Sequence, residues 1–328
     1  MAEVMKVYAG LHMHSTHSDG VYTPAELARI GREEGYRALV LTDHDTASGT
    51  DEMMAACREQ GLECMLGIEF STKFPEHNCS AHITAFHFDP EYPPMKEYLR
   101  KLSFKETDQT RVLFERGVEI GYIRGITWDE VLEYNRGITW LCNEHVFRAM
   151  KAKGLITDLQ YPEFFETCFG KYRGTVPTDI RFMDVKDLIE LVHAAGGIAC
   201  MAHPSDHYGG LAGMETLVGY GIDGVEVWHG LLRGAERREM LALAKKYDLF
   251  VSGGPDHSGL LGGQYDHYEH PEQTTFYFPP LTLGTTKLFY EELRDRKKHP
   301  DRQAVMDRML ADDSLWVTNG GINDLPLV

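Results

Sequence analysis

The stretch KVYAGLHMHSTHSDG, Lys6–Gly20, decides how the rest of the chain is read. Its apolar-leaning start predicts a strand, and His12, His14, His17 and Asp19 follow directly. Residues i and i+2 of a strand point to the same face. His12 and His14 are therefore expected to share one face and to hold one ion, while Met13 points into the packing. Neutral imidazole together with carboxylate suits Zn²⁺, Mn²⁺ or Fe²⁺ better than Mg²⁺, which prefers oxygen alone.

Working outward, the same ending recurs along the chain. RALVLTDHD, 37–45, is a near-continuous apolar run, as buried parallel strands are, and it ends on Asp43, His44 and Asp45. Glu69 follows CMLGI, His203 follows IACMA, His229 follows VEVW, and Asp256 with His257 follow LFVSGGP. Each lies at or just past the C-terminal end of a predicted strand. In parallel α/β folds that edge carries the active site. A lone histidine is more often a hydrogen-bonded core or solvated residue. His17, His77, His87, His193, His207, His267, His270 and His299 are read that way, and His229 is read as a pocket residue.

Helices fill the intervals. In TPAELARIGREEG, 23–35, Thr23 caps, Pro24 takes the first position and Glu26 completes a capping box. GTDEMMAACREQG, 49–61, is a second helix ending on a glycine. From about residue 93 to 184 the pattern is helical, and strand–helix alternation resumes with DVKDLIELVHAAGG, 184–197. The expected class is α/β. Repeated βα units predict a parallel sheet or barrel over 1–92 and 185–328, with a helical insertion over 93–184 that caps the site.

Composition narrows the function. The chain has 328 residues, 43% of them hydrophobic, and a formal net charge of −17. That charge argues against an extended nucleic-acid surface and points to a small-molecule partner. No run approaches the roughly 18 apolar residues that span a membrane. MAEVMKVYAG lacks a signal-peptide pattern, so a cytoplasmic protein is expected, with its six scattered cysteines as free thiols.

LHMHSTHSDG, TDHDT, GIEFS, AHITAF, MAHP and GGPDHSG together resemble the motifs of the PHP (polymerase and histidinol phosphatase) phosphoesterases, particularly the stand-alone bacterial branch. The likeness covers about 1–92 and 185–260. It implies a distorted seven-stranded (β/α) barrel with two or three divalent ions, Mn²⁺ first and Zn²⁺ or Fe²⁺ as alternatives. By position it implies His12, His14, Glu69 and Asp256 for one ion and Asp19 with His44 for a second. Glu69, bridging, with His82 and His145 would hold a third. His145 stands in NEHVFRAM, where the family often has Arg-Pro-His and this chain lacks the Arg. The family's Asp-x-His reads Asp256-His257-Ser258 here, and His257 is expected to reach the second ion, with His203 or water in its place as the alternative.

The implied activity is hydrolysis of phosphate esters. His203 is expected beside the substrate phosphate, and His203 or His229 is expected to protonate the leaving alkoxide. Arg148, Arg173, Arg181 and Arg233 are candidate phosphate or sugar clamps, Arg148 and Arg181 foremost. The expected substrate is a small phosphorylated metabolite, first a cyclic phosphodiester of a phosphoribose type, cut to the monoester and then to phosphate. A nucleoside 3',5'-bisphosphate phosphatase or an RNA-end exonuclease is the alternative. A non-catalytic metal-binding domain is the alternative of another class.

Overall fold

The structure, a computed structural model, describes residues 6–170, 182–232, 234–256 and 283–312. The first helix, α1 (Pro24–Glu33), starts on the expected capping box. The Glu26 amide donates to Thr23 Oγ1 at 3.2 Å, and the Thr23 amide donates to Glu26 Oε2 at 2.8 Å. Helix α2 (Thr50–Gln60) stops at Gly61, whose φ of 67° is open to glycine without strain.

Two sheets carry the site. β1 (Ala9–Gly10), β2 (Ala38–Leu39) and β3 (Glu63–Cys64) form a parallel three-stranded sheet. The second sheet has the order β4 (Gly67–Phe74), β5 (Cys79–Phe86), β6 (Ile198–Met201), β7 (Gly224–Trp228), β8 (Phe250–Gly253). Its β4–β5 and β5–β6 pairs are antiparallel, and β6, β7 and β8 run parallel.

The expected distorted seven-stranded barrel is corrected by this arrangement, because the two sheets do not form a closed barrel. One reason is the turn after β4. A short 3₁₀ segment, Pro75–His77, and Asn78 at φ 50° fold the chain straight back, so no helix crosses over and β5 must run antiparallel. The second reason lies at the two seams. There the ladders give way to isolated bonds: Asp45 N to Glu69 O (2.9 Å) and Glu69 N to Asp43 O (3.2 Å) on one side, Leu11 N to Gly253 O (3.0 Å) and Asp256 N to His12 O (2.9 Å) on the other. Asp45 (φ 53°) and Asp256 (φ 48°) are left-handed at these points, a conformation no continuing strand can use.

Between β5 and β6 the described elements are helical: α3 (Pro93–Glu119), α4 (Trp128–Tyr134), α5 (Asn143–Ala152), α6 (Tyr161–Phe164) and α7 (Val185–Ala194). Leu113, Phe114, Val131, Phe147, Phe164 and Phe169 make a core of their own within α3–α6 and the turn that follows. A larger core lines the five-stranded sheet, with Phe70, Ile83, Leu188, Met201, Val225 and Val251 in it. Met13 points inward and is fully buried, packed with Leu27, Leu39 and Met53. Helices α8 (Gly210–Gly219), α9 (Gly234–Lys246), α10 (Lys287–Asp295) and α11 (Arg302–Ala311) complete the described elements. No helix among the described residues is long and apolar enough to cross a membrane.

Candidate metal centre

The strand ends bring the polar clusters to one place. His12 and His14 lie just past β1, His44 past β2, Glu69 in β4, His82 in β5, His203 past β6, and Asp256 past β8. Glu69, 1% exposed, stands at the middle. Its Oε2 is 3.2 Å from His12 Nε2, 3.3 Å from His14 Nε2 and 3.3 Å from His44 Nδ1. Its Oε1 is 3.1 Å from His82 Nδ1 and 2.9 Å from His203 Nε2. Asp256 Oδ1 lies 2.9 Å from His14 Nε2 and 3.4 Å from His12 Nε2. Asp19 Oδ1 lies 3.5 Å from His14 Nδ1, and its Oδ2 lies 4.0 Å from His44 Nε2.

Four groups of side chains close enough to hold an ion result: His12, His14, Glu69 and Asp256; His14, Asp19 and His44; His44, Glu69 and His82; and His12, Glu226 and His229. The donor atoms fit divalent transition ions. His12 Nε2, His14 Nδ1 and His44 Nδ1 are buried, have no hydrogen-bond partner, and each faces a carboxylate oxygen. A buried polar atom left without a partner is costly, and a cation between such atoms removes that cost. The electrostatics agree. Burial opposes charge on Glu69 and Asp256, yet the surrounding imidazoles hold both carboxyls well below their usual range. Burial likewise opposes a proton on His12 and His14, and the carboxylates overcome it. The cluster is a nest of anions that calls for positive charge at its centre.

A ring of supporting contacts fixes these ligands. Glu226, 1% exposed, sits 3.1 Å from His12 Nδ1 and accepts the His203 amide at 2.8 Å. It thereby turns His12 Nε2 toward Glu69, as outer carboxylates commonly orient ligating histidines. Asp43 accepts from Ser15 N (2.6 Å), Ser15 Oγ (2.8 Å) and Ser18 Oγ (2.6 Å), and Asp45 accepts the Ser71 amide at 2.9 Å. Burial pushes the Asp45 carboxyl up to about 7. Two glycines allow the close approach: a Cβ on Gly254 would lie 2.3 Å from His12 N, and one on Gly20 would lie 2.3 Å from His14 O.

Glu226 was not singled out by the sequence reading. Its signal is a lone carboxylate inside the otherwise apolar, wholly buried strand GVEVW.

Some residues stand elsewhere than expected. His145 accepts the Cys142 amide on Nδ1 (3.0 Å), so its Nε2 carries the hydrogen and donates to Thr16 O (3.1 Å). Both ring nitrogens are thus engaged, and His145 does not join any of the ion-holding groups among the described residues. Arg148, 8% exposed, donates through both terminal nitrogens to the carbonyl oxygens of Thr16, Ser18 and Gly20. His229 accepts the Leu231 amide on Nδ1 (3.0 Å), so its Nε2–H donates to Asp256 Oδ2 (3.0 Å) and orients that carboxylate. His17 turns away to Ser48 (2.9 Å) and Glu52 (3.3 Å). His257, Arg173, Arg181 and Arg233 lie outside the described residues.

Comparison with known proteins places this geometry. The PHP domain family model matches residues 10–195, more than half of the chain. A 5'-3' exoribonuclease of Haemophilus influenzae is 32% identical over 254 residues, spanning 75% of this chain and 88% of that protein. A phosphoribosyl 1,2-cyclic phosphate 1,2-diphosphodiesterase of Eggerthella lenta is 28% identical over 254 residues, 77% of this chain and 94% of that protein. A crystal structure from Bifidobacterium adolescentis, assigned as a metal-dependent phosphoesterase, superposes with a TM-score of 0.71 at 25% identity, covering 91% of this chain and 99% of that one. The chain belongs to the PHP domain family.

Proposed function

We propose that the protein is a metal-dependent hydrolase of phosphoric esters that acts on a small phosphorylated metabolite. The leading substrate is a cyclic phosphodiester of a phosphoribose type, opened to the monoester and then cleaved to free phosphate. One observation carries the reading: the single carboxylate of Glu69 faces five imidazoles, with Asp19 and Asp256 at the flanks. A carboxylate so placed can be shared by neighbouring ions.

His12, His14, Glu69 and Asp256 would hold one ion, and His14, Asp19 and His44 a second. His82 with His44 and Glu69 offers a third position. The mixed nitrogen and oxygen donors favour Mn²⁺, with Zn²⁺ or Fe²⁺ as alternatives. Ions held there would neutralise phosphoryl oxygens and acidify a water toward neutral pH. The chain's own groups do the rest. Glu226 keeps His12 in the required tautomer. His203 is 3% exposed, and its Nδ1 has no hydrogen-bond partner. That nitrogen is available to exchange a proton with the leaving oxygen. The Eggerthella lenta relative supports the cyclic substrate. The net charge of −17 supports a compact ligand over a long polyanion.

A second reading is 5'-3' trimming of RNA ends, favoured by the Haemophilus influenzae relative, or removal of phosphate from nucleoside 3',5'-bisphosphates, the activity named for a 26% identical protein of Chromobacterium violaceum. The test is phosphate release by Mn²⁺-loaded protein from a cyclic phosphoribose diester, a nucleoside 3',5'-bisphosphate and a 5'-phosphorylated RNA oligomer. The highest kcat/KM is expected on the cyclic diester. Preference for either nucleotide substrate replaces the first reading with the second. Bound metal without release from any of the three overturns both and leaves a non-catalytic metal-binding domain.

A further inference from the structure

The loop Ser15–Gly20 carries Asp19, the carboxylate that faces His14 and His44. The backbone of this loop is held from outside the sheets. Arg148 of α5 reaches the carbonyl oxygens of Gly20, and of Thr16 and Ser18 at 3.3 Å each. One turn earlier on the same helix, His145 donates to Thr16 O. A guanidinium is a rigid planar fork of donors, so it fixes the relative positions of the oxygens it bridges. From the opposite side Asp43 grips Ser15 and Ser18. The loop is therefore clamped between the end of β2 and the first turns of α5. Among the described residues the Asp19 carboxylate has a 3.3 Å bond from Ser18 Oγ, within the loop itself, besides its histidines.

The other ion group has no such dependence. His12 and His14 leave β1, Glu69 lies inside β4, and Asp256 is tied by its amide to His12 O. None of the four touches α5 through a hydrogen bond or ion pair recorded among the described residues.

We infer that α5 sets the affinity of the His14–Asp19–His44 ion position, with Arg148 and His145 as its positioning residues, and leaves the His12–His14–Glu69–Asp256 position unaffected. The inference rests on the reading of both groups as ion sites. It replaces the expected roles of His145 as a metal ligand and Arg148 as a substrate clamp. It also makes the helical stretch between β5 and β6 a determinant of how many ions the protein holds.

The test is Mn²⁺ binding without substrate, by calorimetry and by electron paramagnetic resonance, on the full chain. The unmodified protein is expected to bind in a tight and a weaker class, the weaker one being the three-ligand group. Arg148→Ala is expected to keep the tight class at its original affinity and to weaken the other by about 10- to 100-fold, the range seen when an outer support of a metal site is lost. Guanidinium ion added at millimolar level should restore part of that loss, which general damage to the fold would not allow. Should Arg148→Ala fail to fold, Arg148→Lys carries the same expectation at smaller size, because its point charge cannot bridge three carbonyls.

His145→Gln separates positioning from ligation. Its amide can still donate to Thr16 O, so the weaker class should survive with a modest loss. Disappearance of a whole equivalent in His145→Gln, with every class intact in the Arg148 variants, would make His145 a ligand and overturn the inference. Equal weakening of both classes in the Arg148 variants, or no change in either, overturns it as well. Because no ester is present, these outcomes are independent of whether the protein hydrolyses phosphate.

Discussion

The two principal ion groups share His14 yet are built differently. His12, Glu69 and Asp256 hang on strands or strand seams, and His12 and Glu69 are essentially buried. Asp19 sits on a loop, while His44 bridges Glu69 at the seam; their side chains are 19% and 21% exposed, against 30% for Asp256. The strand-borne group inherits its precision from the sheet backbone. The loop that carries Asp19 needs external supports, Asp43 on one side and α5 on the other. A ligand's affinity is thus set by what holds the backbone behind it as much as by the ligand atom.

The harshest way to break the comparison is to remove the carboxylate that faces histidines of both groups. Glu69→Ala takes away the carboxylate facing His12, His14 and His44. Both classes of Mn²⁺ binding should weaken beyond the roughly 100-fold ceiling for outer supports, and phosphate release should vanish with them. Retention of either class at full affinity would mean that Glu69 is not shared.

The two close glycines sharpen the contrast. Gly254→Ala pushes a methyl into the His12 backbone, and Gly20→Ala pushes one into His14 O. Each should cost about 1–3 kcal/mol of stability by overpacking, read from urea unfolding. The metal readout should differ: Gly254→Ala weakens chiefly the tight class, whereas Gly20→Ala, pressing on the shared His14, weakens both.

Glu226→Gln probes the support of the strand-borne group alone. The amide cannot serve His12 Nδ1 and the His203 amide as the carboxylate does. Loss of about 10- to 100-fold in the tight class is expected, with the weaker class little changed before the first ion is lost.

The smallest effect is a control at the far end of β8. Lys298 lies over the Phe250 ring, and burial pushes its amine down to about 8 from 10.5. The folded state therefore disfavours its proton. That cost is present in full below pH 8 and lifts as pH rises from 8 to 10.5. Lys298→Met should melt higher than the parent at pH 7, and the gap should narrow toward pH 10.5. Neither class of metal binding should respond. A gap that widens with pH would contradict the assignment.

Much of this was legible in the sequence. The apolar runs ending in LHMH, TDHD and MAHP marked strand ends, whereas GIE opens β4 and places Glu69 inside that strand instead of past the end of one. Strand direction was not legible. GIEFSTKF and CSAHITAF read as strands either way, and only the short turn at Pro75–Asn78 makes them antiparallel. The contacts His145 and Arg148 make in the fold were not legible for a related reason. Their side chains suit a metal or a phosphate as well as a carbonyl oxygen, and only the fold shows that Thr16, Ser18 and Gly20 lie within reach. Glu226 looked like one polar residue in a strand until His12 was seen beside it.

The left-handed residues around the metal centre have a further consequence. Asp45, His203 and Asp256 all hold positive φ without being glycine, and each such residue stores conformational energy of order 1–3 kcal/mol. The chain keeps them there only while neighbouring contacts outweigh the tension. Ions that bind the folded protein add to those contacts by mass action. Metal loading should therefore register as heat resistance, with the melting temperature rising as Mn²⁺ is titrated in and falling again under chelator.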